Sequence, residues 1–165
     1  MENIEDKKDL FLVLGQNIRR ARERKNLDIK ELANRIHYDR VCLSRMEYGE
    51  QNITYKTAIK IAAELDVSFP ALFSRNYLSV DTEGFREDNF LLVFIENIKR
   101  ELKVNGMLQT HIYIECGIQE SSISRLLSGK IKNPTLGTLC KIASAVTDGN
   151  MTRLFSRNII KEVKK

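Results

Sequence analysis

Apolar residues recur at helical spacing from about residue 11 to 25, where Ile18 and Ala21 flank a basic face of Arg19, Arg22 and Lys25. Asp28, with Glu31 three positions on, has the form of a capping box and predicts a helix running to about Ile36. Asp39 is placed to cap the next helix, which should end near Gly49, a residue suited to the left-handed conformation past a helix C-terminus. Thr54 opens a fourth helix, Tyr55 to Leu65, and Ser68 a short fifth one through Phe73. The layout then returns over about 89–104, 108–116, 119–128, 135–146 and 150–156. Almost nothing alternates with the period of a strand. The two prolines, Pro70 and Pro134, fall early in a helix and just before one, where proline is tolerated. An all-α chain is expected.

The return of the layout is a repeat in the sequence itself. A shift of 80 residues places Asn17-Ile18 on Asn97-Ile98, Arg20 on Arg100, Ser44-Arg45 on Ser124-Arg125 and Gly49 on Gly129. After a one-residue insertion, Asn52, Thr54, Thr57 and Lys60-Ile61-Ala62 fall on Asn133, Thr135, Thr138 and Lys141-Ile142-Ala143. One more insertion aligns Leu72 to Asn76 with Leu154 to Asn158. Identities in that order mark one domain of about 60 residues present twice. The expected division is an N-terminal tail (1–10), a first domain (11–76), a linker (77–88), a second domain (89–158) and a basic C-terminal tail (159–165). The linker is polar, contains Gly84 and shows no sustained period; the acidic start and basic end should fray. Ile18, Leu32, Ala33, Leu43, Ile61 and Leu65 should form one core, and Ile98, Ile112, Ile123, Leu139 and Ile142 another.

Charge narrows the partner without naming it. The chain of 165 residues carries 27 Lys and Arg against 22 Asp and Glu, a net charge of +5. That balance favours a polyanion but does not demand one. The excess is spread over both halves, so any basic surface must be focused on particular faces. No apolar run approaches the roughly 18–20 residues of a membrane span, and the acidic start lacks the form of a signal peptide. Cys42, Cys116 and Cys140 lie far apart without a Cys-x-x-Cys, so neither a disulfide framework nor a zinc site is indicated. They should be small buried apolar residues in a cytoplasmic protein.

The strongest motif is Ile29-Lys-Glu-Leu-Ala-Asn-Arg-Ile36, a short turn at His37-Tyr38, and then Asp39-Arg-Val-Cys-Leu-Ser-Arg-Met-Glu-Tyr-Gly49. Two short helices joined by a tight turn suit a helix-turn-helix, whose second helix enters the major groove. Both copies resemble the Cro/cI (Xre-type) domain of phage repressors and bacterial regulators. The first does so through Leu32-Ala33, Leu43-Ser-Arg45, Gly49 and Thr57-x-x-Lys-Ile-Ala62. The second matches at Gln109, Gly117, Ile123-Ser-Arg-Leu126, Gly129-Lys130, Pro134 and Thr138-Leu-x-Lys-Ile-Ala143.

The resemblance implies two tandem five-helix, lambda-repressor-like helix-turn-helix domains joined by a short linker. It implies double-stranded DNA as the partner, no cofactor, and transcriptional regulation as the role. Base reading falls to Arg40, Val41, Ser44 and Arg45 in the first copy and to Gln119, Glu120, Ser121, Ser124 and Arg125 in the second. Their chemistry suits base edges: Arg for guanine, Gln for adenine, Glu for the cytosine amine, Val for the thymine methyl. Phosphate contacts fall to Lys30, Asn52, Thr54 and Lys56, and to Gln109, Thr110, Lys130, Lys132 and Asn133. An Arg late in helix 1 that pairs with a Glu late in helix 3 corresponds to Arg22 and Glu47; the second copy has Leu102 and Leu127 there. Losing both charges together is what a real contact would require. Three departures stand out: Ile29 in place of the usual Gln, His37 in place of the turn Gly, and Tyr113 in place of a small residue.

Two rival classes stand beside this reading. His37 and His111 lie at non-equivalent positions, outside any metal or triad spacing, and no Gly-rich phosphate loop is present, which argues against an enzyme. A protein-interaction module, antitoxin-like or antirepressor-binding, suits the second copy better than the first. The apolar run Phe90 to Ile95 is longer than one helix face needs, and offers surface for a partner or for a homodimer reading an inverted repeat.

Overall fold

In the computed structural model, which describes residues 3–76 and 84–157 and side chains from Asp9 onward, several helices begin where a side chain caps their free N–H groups. The first helix, α1, spans Asn3–Arg24. It is followed by α2 (Ile29–Arg35), α3 (Arg40–Glu47), α4 (Tyr55–Leu65) and a 3-10 helix at Pro70–Phe73. Further along come α5 (Phe90–Val104), α6 (Gln109–Cys116), α7 (Glu120–Leu127), α8 (Leu136–Val146) and α9 (Met151–Leu154). The chain divides between Glu87 and Asp88 into two compact units. All regular elements among the described residues are helices.

The caps are those the spacing predicts in the first unit. Asp28 accepts from the Glu31 N–H at 2.8 Å while Glu31 accepts from the Asp28 N–H at 2.8 Å, closing the capping box. Asp39 accepts from the Cys42 N–H at 2.8 Å, and Thr54 from the Thr57 N–H at 3.4 Å. Thr135 does the same for Thr138 at 3.3 Å. Ser68 does not open the last element; the 3-10 helix has Phe69 at its N-cap position and Pro70 at its start, a place that needs no N–H.

The expected tail differs more. The helix α1 already runs from Asn3, so residues 3–10 are helical rather than a frayed tail. Within it, Asp9 forms an ion pair with Arg75. Residues 3–10 hold few apolar positions, so apolar periodicity has little there to report. Of the linker, 77–83 lies outside the described residues, as does the basic tail 159–165. Its end is anchored locally: Phe85 donates its N–H to Asp66 at 3.0 Å, and Gly84 lies so close to that carboxylate that a Cβ would approach to 2.7 Å. Asp88 accepts two bonds from Arg157, at 2.6 and 2.7 Å.

Both expected cores form. Ile18, Leu32, Ala33, Leu43, Ile61 and Leu65 are at most 2% exposed, and Ile98, Ile112, Ile123, Leu139 and Ile142 are fully buried. Each core closes around an asparagine. Asn17 donates to the Leu72 and Ser74 carbonyls at 2.8 Å each; Asn97 donates to those of Leu154 and Ser156 at 2.7 and 3.2 Å. Every unit thus ties its first helix to its last turn. The run Phe90 to Ile95 is buried apart from Leu92, with Phe94 packed on Phe155 at 5.3 Å, so it is core and offers no continuous apolar surface. The helix α5 is long enough to bury nearly all of that turn and a half, which a single stripe would not.

Candidate nucleic-acid interface

The scaffold behind the motif is a buried clamp between α1 and α3. Arg22 donates from Nε to Glu47 Oε1 at 2.7 Å and from Nη2 to Oε2 at 3.1 Å, while Nη1 reaches the Leu27 carbonyl at 2.7 Å. Both side chains are nearly enclosed, and the Glu47 carboxylate holds the Arg22 guanidinium still further above its ordinary pKa. Gly15 makes the approach possible, since a Cβ there would lie 2.5 Å from the Met46 and Glu47 carbonyl oxygens. In the second unit the matching positions, Leu102 and Leu127, are buried apolar side chains, and Ile95 stands where Gly15 does.

With α3 held this way, its outer face meets the start of α2 around an open groove of about 560 Å³. It is lined by Asp28, Ile29, Lys30, Arg40, Val41, Ser44 and Arg45. All four base-reading candidates of the first copy line it, together with the phosphate candidate Lys30. Arg40, Arg45 and Lys30 are exposed and Ser44 is half-buried. Asp28 is tied to its own helix by the capping box, so the groove's free charges are cationic. Of the other phosphate candidates, Asn52 and Lys56 are exposed ahead of and inside the start of α4. Thr54 is half-buried, its hydroxyl shared between the Thr57 N–H and the Thr57 hydroxyl, 3.1 Å away.

At the N-cap of α3 the Cys42 N–H holds the Asp39 carboxyl below its usual range, and Asp39 in turn pushes the Cys42 thiol up. Cys42 and Cys116 are half-buried rather than buried; Cys140 alone is enclosed, and all three are free thiols. Being on the outer side of short surface helices keeps the first two within reach of solvent.

In the second unit, Gln119, Glu120, Ser121, Ser124 and Arg125 are exposed on or just before α7. Gln109 is half-buried and Thr110 exposed at the start of α6, and Lys130, Lys132 and Asn133 are exposed between α7 and α8. Neither helix has a side-chain cap: Leu108 and Gln119 occupy the N-cap positions that Asp28 and Asp39 hold in the first unit. Tyr113 is half-buried and its carbonyl accepts from the Gly117 N–H at 3.0 Å, so the turn closes with the tyrosine present. Leu108 and Ile114 are 73% and 71% exposed.

The residues that sequence reasoning missed are the positioning ones: Gly15, the Asn17 and Asn97 ties, and the ion pairs of Arg75 and Arg157. The asparagines and arginines were visible as identities of the repeat, but their partners lie more than 50 residues away and no local pattern links them.

A family model described as helix-turn-helix matches residues 18–72. No curated protein matches the chain, and no solved structure matches it. No described helix is long and apolar enough to cross a membrane. The match begins within α1 and ends in the 3-10 helix, so it takes in the whole motif and the groove beside it. Residues 18–72 are a helix-turn-helix domain.

Proposed function

We propose that the chain is a sequence-specific double-stranded DNA-binding transcriptional regulator, acting as a repressor of a phage, mobile-element or bacterial operon. In this reading α3 and α7 enter successive stretches of the major groove. The observation that carries it is the groove beside α3, where Arg40, Val41, Ser44, Arg45 and Lys30 converge on a helix-turn-helix domain. Arg40 and Arg45 supply bidentate donors for guanine, while Lys30, Lys56 and the free N–H groups at helix starts supply phosphate contacts.

The test is selection of duplexes from a random pool by the purified chain, followed by titration against salt. Arg45→Ala should cost about 1–3 kcal/mol on the selected site and relax preference at one base pair. Lys56→Ala should weaken all duplexes alike and flatten the salt dependence by about one counterion. Equal loss on specific and random DNA from Arg45→Ala would remove it from base reading.

Two observations favour a second reading. Leu108 and Ile114 are exposed on the second unit, and Glu120 stands where the first unit has Arg40. An acid in place of that arginine and two exposed aliphatics suit a protein partner better than a polyanion. If Arg125→Ala leaves the selected site and its affinity unchanged while Arg45→Ala does not, DNA reading is confined to the first unit, as this second reading requires. With Phe90 to Ile95 buried, pairing of two chains rests on the two-fold habit of regulators alone. A footprint with light scattering decides between a homodimer on an inverted repeat and one chain on an asymmetric site.

A further inference from the structure

The end of α4 is capped by Asp66, which adopts a left-handed conformation (φ 52°) that side chains disfavour and glycine takes freely. The cap of α8, Thr147, keeps an extended backbone and donates its hydroxyl to the Ala143 carbonyl at 2.7 Å, so the architecture does not demand a left-handed residue there. Asp66 uses its position to hold a later segment of its own unit. Its Oδ1 accepts from the Phe85 N–H at 3.0 Å, 19 residues on. Gly84 comes so close to the same oxygen that a Cβ would lie 2.7 Å away, so the approach requires a residue without one. Just beyond, the second unit has an anchor of its own: Asp88 accepts from Nε and Nη2 of Arg157 at 2.6 and 2.7 Å. Arg86 and Glu87 are all that lies between the two anchors.

We infer that Asp66 sets the spacing between two DNA half-sites, by holding the chain at Gly84-Phe85 and so leaving a connection of two residues between the reading units. The inference rests on the DNA-binding reading above, with both units on DNA, and adds a specificity determinant outside the recognition helices. From Phe85 to Asp88 the chain spans at most about 11 Å. Counted from Asn76, whose N–H donates to Ser74 Oγ at 3.2 Å, it could reach about 40 Å. Loosening the tie lengthens the connection from two residues to the eleven of 77–87. The effective concentration of one unit at its half-site falls with about the −3/2 power of that length, hence about tenfold. In exchange, other spacings come within reach.

The full chain is used to select its preferred duplex, which is then compared with duplexes carrying one to five base pairs inserted between the two protected stretches. The wild-type chain should lose at least about tenfold on insertion. Asp66→Gly relieves the left-handed backbone while removing the acceptor, so the unit stays folded. It should bind the parent duplex about tenfold more weakly and lose little more on insertion. Gly84→Ala should act in the same way by pushing the chain off the carboxylate. Asp66→Asn keeps a side-chain oxygen and tolerates the left-handed region, and should retain the wild-type spacing. Exchange of the Phe85 amide hydrogen, followed by NMR, should quicken in Asp66→Gly and not in Asp66→Asn. Wild-type binding indifferent to insertion, or an Asp66→Gly chain with unchanged spacing preference, overturns the inference and leaves DNA binding by the first unit intact. Unchanged Phe85 exchange in Asp66→Gly overturns it without any DNA. Failure to select a duplex overturns both.

Discussion

The two units build the same helices by different means. In the first, both motif helices start at aspartate caps and α1 is clamped to α3 by the Arg22–Glu47 ion pair. In the second, Leu108 and Gln119 provide no side-chain cap and the clamp positions are Leu102 and Leu127. The turns run the other way. Asn26 and His37 adopt left-handed conformations (φ 55° and 53°) where the second unit has Gly106 and Gly117 (62° and 66°). What both keep is the long-range tie, Asn17 or Asn97 to the last turn, the Thr54–Thr57 or Thr135–Thr138 start, and an acid near the first helix for Arg75 or Arg157. The lesson is that this architecture tolerates exchange of caps, clamp and turn chemistry, but preserves the contacts that set where its helices lie.

The largest test of that contrast is to turn one clamp into the other. Glu47→Leu alone strands a buried guanidinium and should cost the first unit about 3–5 kcal/mol. Arg22→Leu with Glu47→Leu recreates the second unit's pair and should recover much of the loss. Recovery should stay incomplete, since the Leu27 carbonyl also loses its 2.7 Å donor. Denaturant melts of the two single variants and the double variant give the coupling. A coupling of zero would mean that the clamp contributes nothing as a pair.

The units can also be separated through their cores. Leu43 and Ile123 occupy matching places on α3 and α7 and are both fully buried. Leu43→Ala or Ile123→Ala should cost about 2–5 kcal/mol, close to the whole stability of a domain of this size. Calorimetry should show each substitution lowering only the transition of its own unit. A single transition lowered equally by both would show one cooperative body and remove the comparison.

Sequence alone carried the fold far because its signals are local. Asp28 and Glu31 lie one helical turn apart, Thr54 is three residues from the N–H it caps, and the core positions follow one period. The clamp was legible too, though only through the paired change to Leu102 and Leu127. What escaped has no short-range signature. Asn17 binds carbonyls 55 and 57 residues away, Gly15 matters because of a backbone that arrives from α3, and Asn3 to Leu10 is helical without an apolar stripe. At the candidate interface, Arg40, Val41, Ser44 and Arg45 were read from the motif. Ile29 was seen only as a departure, since its place in the groove depends on how α2 meets α3.

A smaller effect separates capped from uncapped helices. Asp28→Ala should cost the first unit about 1 kcal/mol, and Leu108→Asp should stabilise the second by a comparable amount. Asp39 adds a pH signature. Its folded-state pKa is lowered by the Cys42 N–H, so its contribution is full above the unfolded value of about 3.9. That contribution is lost as pH falls through the lower folded value. Asp39→Asn keeps an acceptor for the cap and should remove that part of the acid sensitivity from the first unit's melting temperature. An unchanged acid profile would mean that the carboxylate is no better bonded in the folded than in the unfolded chain.

The smallest expected effect isolates the turn. His37 sits at a left-handed φ that costs an ordinary residue about 1–2 kcal/mol, whereas glycine pays nothing sterically but loses more chain entropy on folding. The two terms partly offset, so His37→Gly should stabilise the first unit by about 0.5 kcal/mol. The matching position gives the reverse experiment in a clean form. A Cβ on Gly117 meets nothing within 4 Å, so Gly117→Ala introduces no clash, and its net cost of about 1 kcal/mol is the dihedral penalty less the entropy that alanine removes from the unfolded chain. If His37→Gly destabilises instead, the imidazole makes a contribution at the turn that outweighs its backbone strain. The two turns would then differ in more than conformational freedom.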